Sequence, residues 1–331
     1  MKKHQKTQLK LPDGRIVDAV APVVISASRA TDIPALYGEW LLNRLKAGYA
    51  AWRNPYNGRT SYVDFCRSRA IVFWTKNPAP FLPMLQILDD CMPQYYFQFT
   101  LNDYEQEGLE PGLPSLEYRI AVFQELSRRI GSEKLIWRFD PIIFGGQLDA
   151  IELLRRISRI AEALSGYTQT LVFSFADIDR YVKVRRSIAA AGGVLREPYA
   201  EEKEQIAAGL AAANIQWGLS IRTCAEGEDF SIYDVEHNRC IDDRLLASLF
   251  PQDRLLSEFV ESNMLFADNN GNFMLKDAGQ RPNCGCILSK DIGQYSTCPQ
   301  GCLYCYAVVS RNAAKAYYLK HDASGELLAR V

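Results

Sequence analysis

Short apolar runs alternate with amphipathic stretches along most of the chain. The runs are VVISAS (23–28), YAAWRN (49–54), AIVFWTK (70–76), YYFQFTL (95–101), LIWRFD (135–140), TLVFSFA (170–176) and IQWGLSIR (215–222), with a weaker eighth at CILSKDI (286–292). Between them, residues 116–130 put Leu116, Ile120, Phe123, Leu126 and Ile130 on one helical face, with Ser115 as N-cap and Gly131 as the stop. Residues 149–164 repeat the pattern with Ile151, Leu154, Ile157, Ile160 and Leu164, and Asp32 and Pro34 open a third helix that ends at Gly48. Such alternation implies parallel strands, and seven or eight units predict an α/β fold of the (β/α) barrel, TIM-like kind; a doubly wound open sheet is the alternative. The opening TQLKLPDGRIVDAV reads as a hairpin turning at Pro12-Asp13-Gly14. The expected organisation is therefore a hairpin extension over 1–20 and a single barrel domain over 21–331.

Side-chain parity adds chemistry, because successive strand residues face opposite ways. Ser26 and Ser28 oppose Val23, Ile25 and Ala27; Gln98 and Thr100 oppose Phe97 and Phe99. Ile136, Arg138 and Asp140 oppose Trp137 and Phe139, while Gly218, Ser220, Arg222 and Cys224 oppose Trp217, Leu219 and Ile221. With the apolar faces under the helices, the polar faces would line the barrel interior, where a structural barrel carries bulky aliphatic residues. A polar ligand cavity is expected instead. Arg29, Lys76, Arg138 and Arg222 fall at or beside strand C-termini, where barrel active sites lie. They suit internal ion pairs with Asp32, Asp140 and Glu226, or recognition of a carboxylate or phosphate. Lys76, Arg138, Asp140 and Arg222 are the candidate catalytic residues. The basic stretch RYVKVRRS (180–187) reads as a solvated helix face.

Composition narrows the function classes. The 331 residues are 48% hydrophobic, and 38 Lys and Arg nearly balance 39 Asp and Glu, for a net charge of −1. That balance weighs against nucleic acid as a partner. The start MKKHQKTQLKLPDGR has no apolar core after its lysines, and no apolar run approaches the roughly 18 residues of a membrane span. A cytoplasmic protein is expected. Five of nine cysteines crowd into one short stretch, Cys284, Cys286, Cys298, Cys302 and Cys305. In a reducing compartment that clustering points to metal or redox chemistry. Lone Cys66 and Cys91 read as small hydrophobes.

The C-x3-C-x2-C run of Cys298, Cys302 and Cys305 offers three thiolates from one loop, which leaves a cubane iron or a zinc position open. With Tyr304 before the third cysteine, it resembles the cluster motif of radical S-adenosylmethionine (SAM) enzymes. The resemblance implies a 4Fe–4S cluster on a (β/α) barrel, with the amino and carboxylate groups of SAM on the fourth iron. Reductive cleavage to a 5′-deoxyadenosyl radical would follow, drawing on a reductant such as ferredoxin or flavodoxin. The substrate would be a small molecule, with an anionic one matching the cations.

The wider chain is similar to a bacterial family defined by a domain of unknown function, through SASRATDIP, RNP, FWTKNP, YYFQFT, IWRFDP, TCAE, CIDD, CGC and CPQGCLYCY. Here the triplet follows the last strand, where radical SAM enzymes carry it after the first, so the motif would be permuted to the C-terminus, in a segment spanning about 284–306. The element that usually grips the methionine amino group is missing, and Ser26, Ser28 and Arg29 would replace it. Tyr304 would meet the adenine, and Arg138 or Arg222 the carboxylate. Cys224, Cys240, Cys284 and Cys286 would form a second metal site, expected to be another 4Fe–4S cluster. His237 is a spare ligand, or simply an exposed loop histidine. Two further function classes compete: an electron-transfer or cluster-carrier protein that never cleaves SAM, and a nucleic-acid-directed lyase.

Overall fold

The computed structural model describes residues 4–190, 192, 194–264, 275–277 and 279–329, without the side chains of 262–264. The chain ends at 1–3 and 330–331, included in the expected domain bounds, lie outside the described residues. The chain begins with β1 (Gln5–Lys10) and β2 (Ile16–Ala21), then β3 (Val24–Ala27), α1 (Ile33–Leu36), α2 (Gly38–Ala47), β4 (Tyr49–Arg53) and β5 (Thr60–Asp64). Next come β6 (Ala70–Thr75), α3 (Leu85–Cys91), β7 (Tyr95–Thr100), α4 (Leu116–Ile130), β8 (Leu135–Ile142), α5 (Ala150–Ala163) and β9 (Thr170–Phe175). The last part holds α6 (Val182–Ala190), α7 (Ala200–Trp217), β10 (Ser220–Thr223), β11 (Glu236–His237), α8 (Asp243–Leu249), α9 (Arg254–Met264), β12 (Lys290–Asp291) and α10 (Arg311–Leu319).

Eight strands form one sheet in the order β11-β10-β9-β8-β7-β6-β3-β12, and every pair is parallel. With helices between most of them, this is consistent with a TIM-like barrel. β12 sits against β3, with Asp291 opposite Ser26, so the last strand neighbours the first.

A second sheet, β1-β2-β5-β4, corrects one expectation. The run at 49–54 is not a barrel strand: β4 pairs antiparallel with β5, Tyr49 opposite Asp64. The connection over 54–59 is closed by Gly58 N–H to Asn54 O (2.9 Å). So short a link permits only a hairpin, since a parallel pair needs a crossover of roughly a dozen residues. The N-terminal hairpin itself forms as expected, and β2 joins this sheet through β5.

Other boundaries shift for local reasons. Gly218 takes the left-handed conformation (φ 65°) and ends α7, so the strand expected at 215–222 starts only at Ser220 and runs to Thr223. Of the 286–292 run, Lys290–Asp291 forms the strand, and Ile287 makes an isolated bridge to Lys276. The helix expected from Asp32 to Gly48 is broken at Tyr37 into α1, capped by Asp32, and α2. Ser115 and Gly131 bound α4 as read, and Asp149 caps α5. Ile151, assigned to the buried face of α5, is 80% exposed, and Leu153 takes its place.

Parity holds in the sheet. Ile25, Ala27, Ile71, Phe73, Phe97, Phe99, Trp137, Phe139, Leu171 and Phe173 pack in one core with α1 to α5 and α7. The opposite face starts each strand with apolar residues, Val24, Val72, Tyr96, Ile136 and Val172, packed with α8 and α9. Farther along the strands it turns polar, with Ser26, Gln98, Thr100, Arg138 and Ser174 all buried.

Candidate functional site

The cysteine loop follows β12 and is tied to the rest of the protein at several points. Tyr37 Oη donates to the Thr297 carbonyl (2.6 Å), and Gln300 Nε2 donates to Asp32 Oδ2 (3.1 Å). Leu303 N–H bonds the Leu109 carbonyl (2.9 Å), and Cys305 N–H bonds that of Cys302 (3.2 Å). Gly301 supplies the left-handed turn between Cys298 and Cys302 (φ 75°). The same Asp32 caps α1 through Ala35 N–H (3.0 Å) and takes the Lys76 N–H (2.8 Å), so one buried carboxylate joins α1, β6 and the loop. Burial pushes that carboxyl up.

Cys298, Cys302 and Cys305 open onto a cavity of about 250 Å³. It is lined by the C-terminal ends of β3, β6, β7, β8 and β9, including Ser28, Lys76, Thr100, Asp140 and Ser174. This is where a parallel barrel presents its active site. Burial pushes the Cys298 thiol up to about 12 and the Cys302 thiol well above its usual value. Thiols so placed stay protonated unless a metal displaces the proton. The far wall of the cavity is aromatic: Tyr306 stacks on Tyr181 at 5.3 Å, with Trp74 and Phe175 also lining it.

Behind Cys302 lies a buried network. The Glu110 carboxylate accepts from Lys76 Nζ (2.8 Å), Arg119 Nη1 (3.3 Å), Asn102 Nδ2 (3.2 Å) and the Tyr304 hydroxyl. Burial would push the Glu110 carboxyl up, but Lys76 and Arg119 hold it below its usual range. Burial likewise opposes the charge on Lys76, and Glu110 and then Cys302 outweigh it. Tyr304, expected to meet an adenine, lines the cavity while its hydroxyl is taken up by this network. Its hydroxyl is fixed among Lys76 (2.9 Å), Asn102 (3.0 Å) and Glu110, and Tyr306 is the more exposed aromatic of the loop, at 41%.

The other expected residues separate into groups. Ser28, Arg29, Lys76, Asp140 and Tyr304 line the cavity, whereas Ser26, Arg138 and Arg222 do not. Ser26 Oγ and Ser28 Oγ donate to Asp291 (2.7 Å each), as do the Arg29 N–H and Gly293 N–H (2.9 Å each). The serines expected to grip a cofactor amino group are thus committed to a strand–strand clamp. Arg138 lies beneath the cavity and binds Asp140 through Nε (3.1 Å) and Nη2, and Gln98 through Nη1 (3.2 Å). Asp140 also accepts from Ser174; burial would push its carboxyl up, but Arg138 and Ser174 hold it below the usual range.

Arg222 is the clearest departure. It points into a second cavity with Glu236, Asp242 and Arg244, and it pairs with Asp242 (3.4 Å). In register it stands level with Val172 of β9 and Arg138 of β8, below the strand ends that border the first cavity. His237 is exposed and meets Thr223 Oγ1 (3.4 Å), and Cys66 is exposed rather than buried.

Sequence reasoning missed Asp291, Glu110 and Asn102, which sit in irregular or two-residue segments where periodicity is silent. It also missed Arg281, which lines the cavity rim and pairs with Asp177. Tyr306 had a signal, as the second aromatic of C-L-Y-C-Y. Cys224, Cys240, Cys284 and Cys286 gather on the side of Arg138 away from the cavity. Among the described residues, no three His, Cys, Asp or Glu side chains converge as a ready-made site for one ion. No helix among them is long and apolar enough to cross a membrane.

No curated protein matches the chain. Two solved structures resemble it weakly. Rhizobium etli pyruvate carboxylase, as a T882A variant, gives a TM-score of 0.26 at 10% identity, over 72% of this chain and 27% of that one. A candidate alpha-L-fucosidase from Bacteroides thetaiotaomicron gives 0.25 at 11% identity, over 76% and 84% of the two chains. Likenesses this slight carry neither fold nor function. Residues 24–307, by contrast, match the family described as a domain of unknown function, DUF1848, and a match over most of the chain means that the protein belongs to that family.

Proposed function

We propose that this protein is a radical-SAM-like iron–sulfur enzyme whose parallel sheet closes into a (β/α) barrel, with the cluster motif displaced to the chain's end. Cys298, Cys302 and Cys305 would hold a 4Fe–4S cluster, and SAM would lie across the adjoining cavity. One observation carries the reading: three thiols from a single loop share one cavity with the C-terminal ends of five parallel strands. The donor set fits the group, because three thiolates leave one iron of a cubane for a cofactor. Reduced by ferredoxin or flavodoxin, such a cluster supplies the electron that cleaves SAM.

The chain's own residues would position and shield. Tyr306 and Tyr181 offer an aromatic wall for a purine, a role expected earlier of Tyr304. Arg281 lines the cavity and takes over the carboxylate role from Arg138 and Arg222. Asp140 is held ionised by Arg138 and presents a fixed acceptor beside Ser174 to the cofactor or a small-molecule substrate. Lys76 holds a positive charge close to Cys302, which favours the reduced, more negative state of a bound cluster.

The test is anaerobic reconstitution with iron and sulfide, dithionite reduction, and mass-spectrometric detection of 5′-deoxyadenosine and methionine. Slow release of both is expected without substrate, and none from Cys302→Ala. A fully loaded, reducible cluster that neither binds nor cleaves SAM would overturn the reading and leave electron transfer as the function. Stoichiometric zinc with no iron would overturn the cluster itself.

A further inference from the structure

The end strands of the eight-stranded sheet, β11 and β12, are two residues each, and no ladder joins them among the described residues. Two contacts span the seam instead. Ile287 N–H donates to the Ile241 carbonyl (3.1 Å), and Ile241 N–H donates to Cys286 Sγ (3.4 Å). Each seam residue adjoins a cysteine, Ile241 following Cys240 and Ile287 following Cys286.

Four thiols run along this seam. Cys224 follows β10 directly and lies 3.3 Å from Cys240 by sulfur–sulfur distance. Cys240 also lies close to Cys286, and Cys286 to Cys284, near enough for their thiols to interact. All four are free. Two come from the β10–β11 side and two from the β12 side.

Ordinary packing accounts for buried cysteines, but not for the donors aimed at these. Arg138 Nη1 lies 3.1 Å from Cys240 Sγ, and Asn238 Nδ2 lies 3.4 Å from it. Arg29 also lies close to Cys286 and Cys240. Its Nε and Nη1 are buried without a hydrogen-bond partner among the described residues. Asp140 answers the charge of Arg138, and Asp277 lies 3.8 Å from Arg29, but the two orphaned Arg29 donors beside neutral thiols remain unfavourable. Beside a tetrathiolate centre of net charge about −2 both become stabilising, as N–H···S donors to a bound centre.

We propose that Cys224, Cys240, Cys284 and Cys286 bind a thiophilic metal centre, zinc or an iron–sulfur cluster, that staples the sheet between β11 and β12. Binding of Zn2+, or of a preformed 4Fe–4S cluster in its 2+ state, deprotonates the four thiols and releases four protons to solvent, with no redox change. The sulfurs now form a chain rather than a tetrahedron. A cluster accepts that arrangement by giving each thiolate its own iron, and zinc accepts it after small rotations about χ1. The inference does not depend on SAM chemistry at the other three cysteines.

The test uses full-length chain with Cys298, Cys302 and Cys305 all replaced by Ala, expressed with both metals and purified anaerobically. Zinc, iron and sulfide are then counted. About one zinc, or about four irons with sulfide, should remain per chain. Adding Cys240→Ser should abolish that metal and speed amide exchange at 236–241 and 286–292 about tenfold, with 116–130 unchanged. A folded triple variant free of metal would overturn the proposal, as would a Cys224–Cys240 disulfide in anaerobic protein. If the triple variant does not fold, the unsubstituted chain decides: about eight irons, or about four with one zinc, support the site, and four irons alone refute it.

Discussion

Replacing Glu110 by Gln probes the link between the fold and the cysteine loop. The carboxylate is the common anion for Lys76 and Arg119, whose side chains are 17% and 1% exposed. Removing one partner of a buried pair costs about 3–5 kcal/mol, because a desolvated charge is left behind. The amide still accepts one hydrogen bond, so the expected loss is about 3 kcal/mol, a large share of the roughly 5–15 kcal/mol that stabilises a domain. Urea unfolding followed by tryptophan fluorescence should show it. Lys76→Met combined with Glu110→Gln should cost less than the sum of the single changes by about 1–3 kcal/mol. Because Tyr304 lies between Cys302 and Cys305 and bonds Glu110, metal retained by the loop should fall as well. A loss under about 1 kcal/mol, or strict additivity, would refute the network as the anchor of the loop.

Three further changes test other supports. A Cβ on Gly293 would collide with Ser28 Oγ at the Asp291 clamp, so Gly293→Ala should lose at least about 2 kcal/mol in the same urea titration. Tyr37→Phe leaves the Thr297 carbonyl without its donor and should cost about 1–3 kcal/mol, with faster metal loss to a chelator. Glu152 is held at a pKa of about 2 by hydrogen bonds from Arg155 and Arg156, down from 4.5. Its stabilisation is complete above pH 4.5 and disappears as the pH falls toward 2. Glu152→Gln should therefore cost about 1 kcal/mol at pH 6 after solvent screening, narrowing by roughly half at pH 3. An undiminished gap at pH 3 would contradict the assignment.

How far the sequence was legible follows from what each residue answers to. Alternation in LIWRFD and YYFQFT answers to burial on two faces, and both strands face as read. The run at 49–54 has the same local pattern, yet its partner is chosen by a short hairpin loop, a tertiary fact that hydrophobicity does not encode. Among the site residues, Ser28, Lys76, Asp140 and the three C-terminal cysteines were legible because strand ends and ligand spacing are local signals. Asp291 and Glu110 were not. Their roles arise from partners 263 and 34 residues away, joined only once the sheet is assembled. Arg222 failed for a related reason: parity gave its face correctly, but not its height along a strand of four residues.

The position of β12 answers the oddity of a cysteine loop at the chain's end. In a parallel sheet every C-terminus emerges at the same edge. Since β12 lies beside β3 with Asp291 opposite Ser26, the loop after residue 291 must rise at the edge where Ser28 and Arg29 emerge. The separation in sequence, some 270 residues, therefore vanishes in space. The Asp291 carboxylate enforces this by drawing donors from both strands' ends, Ser26, Ser28 and Arg29 from one and Gly293 from the other. Arg138 and Asp140 then join the two thiol sets: Asp140 lines the cavity of Cys298, Cys302 and Cys305, while Arg138 bonds both Asp140 and Cys240. A change of charge at either thiol set would be felt by the other through this buried pair.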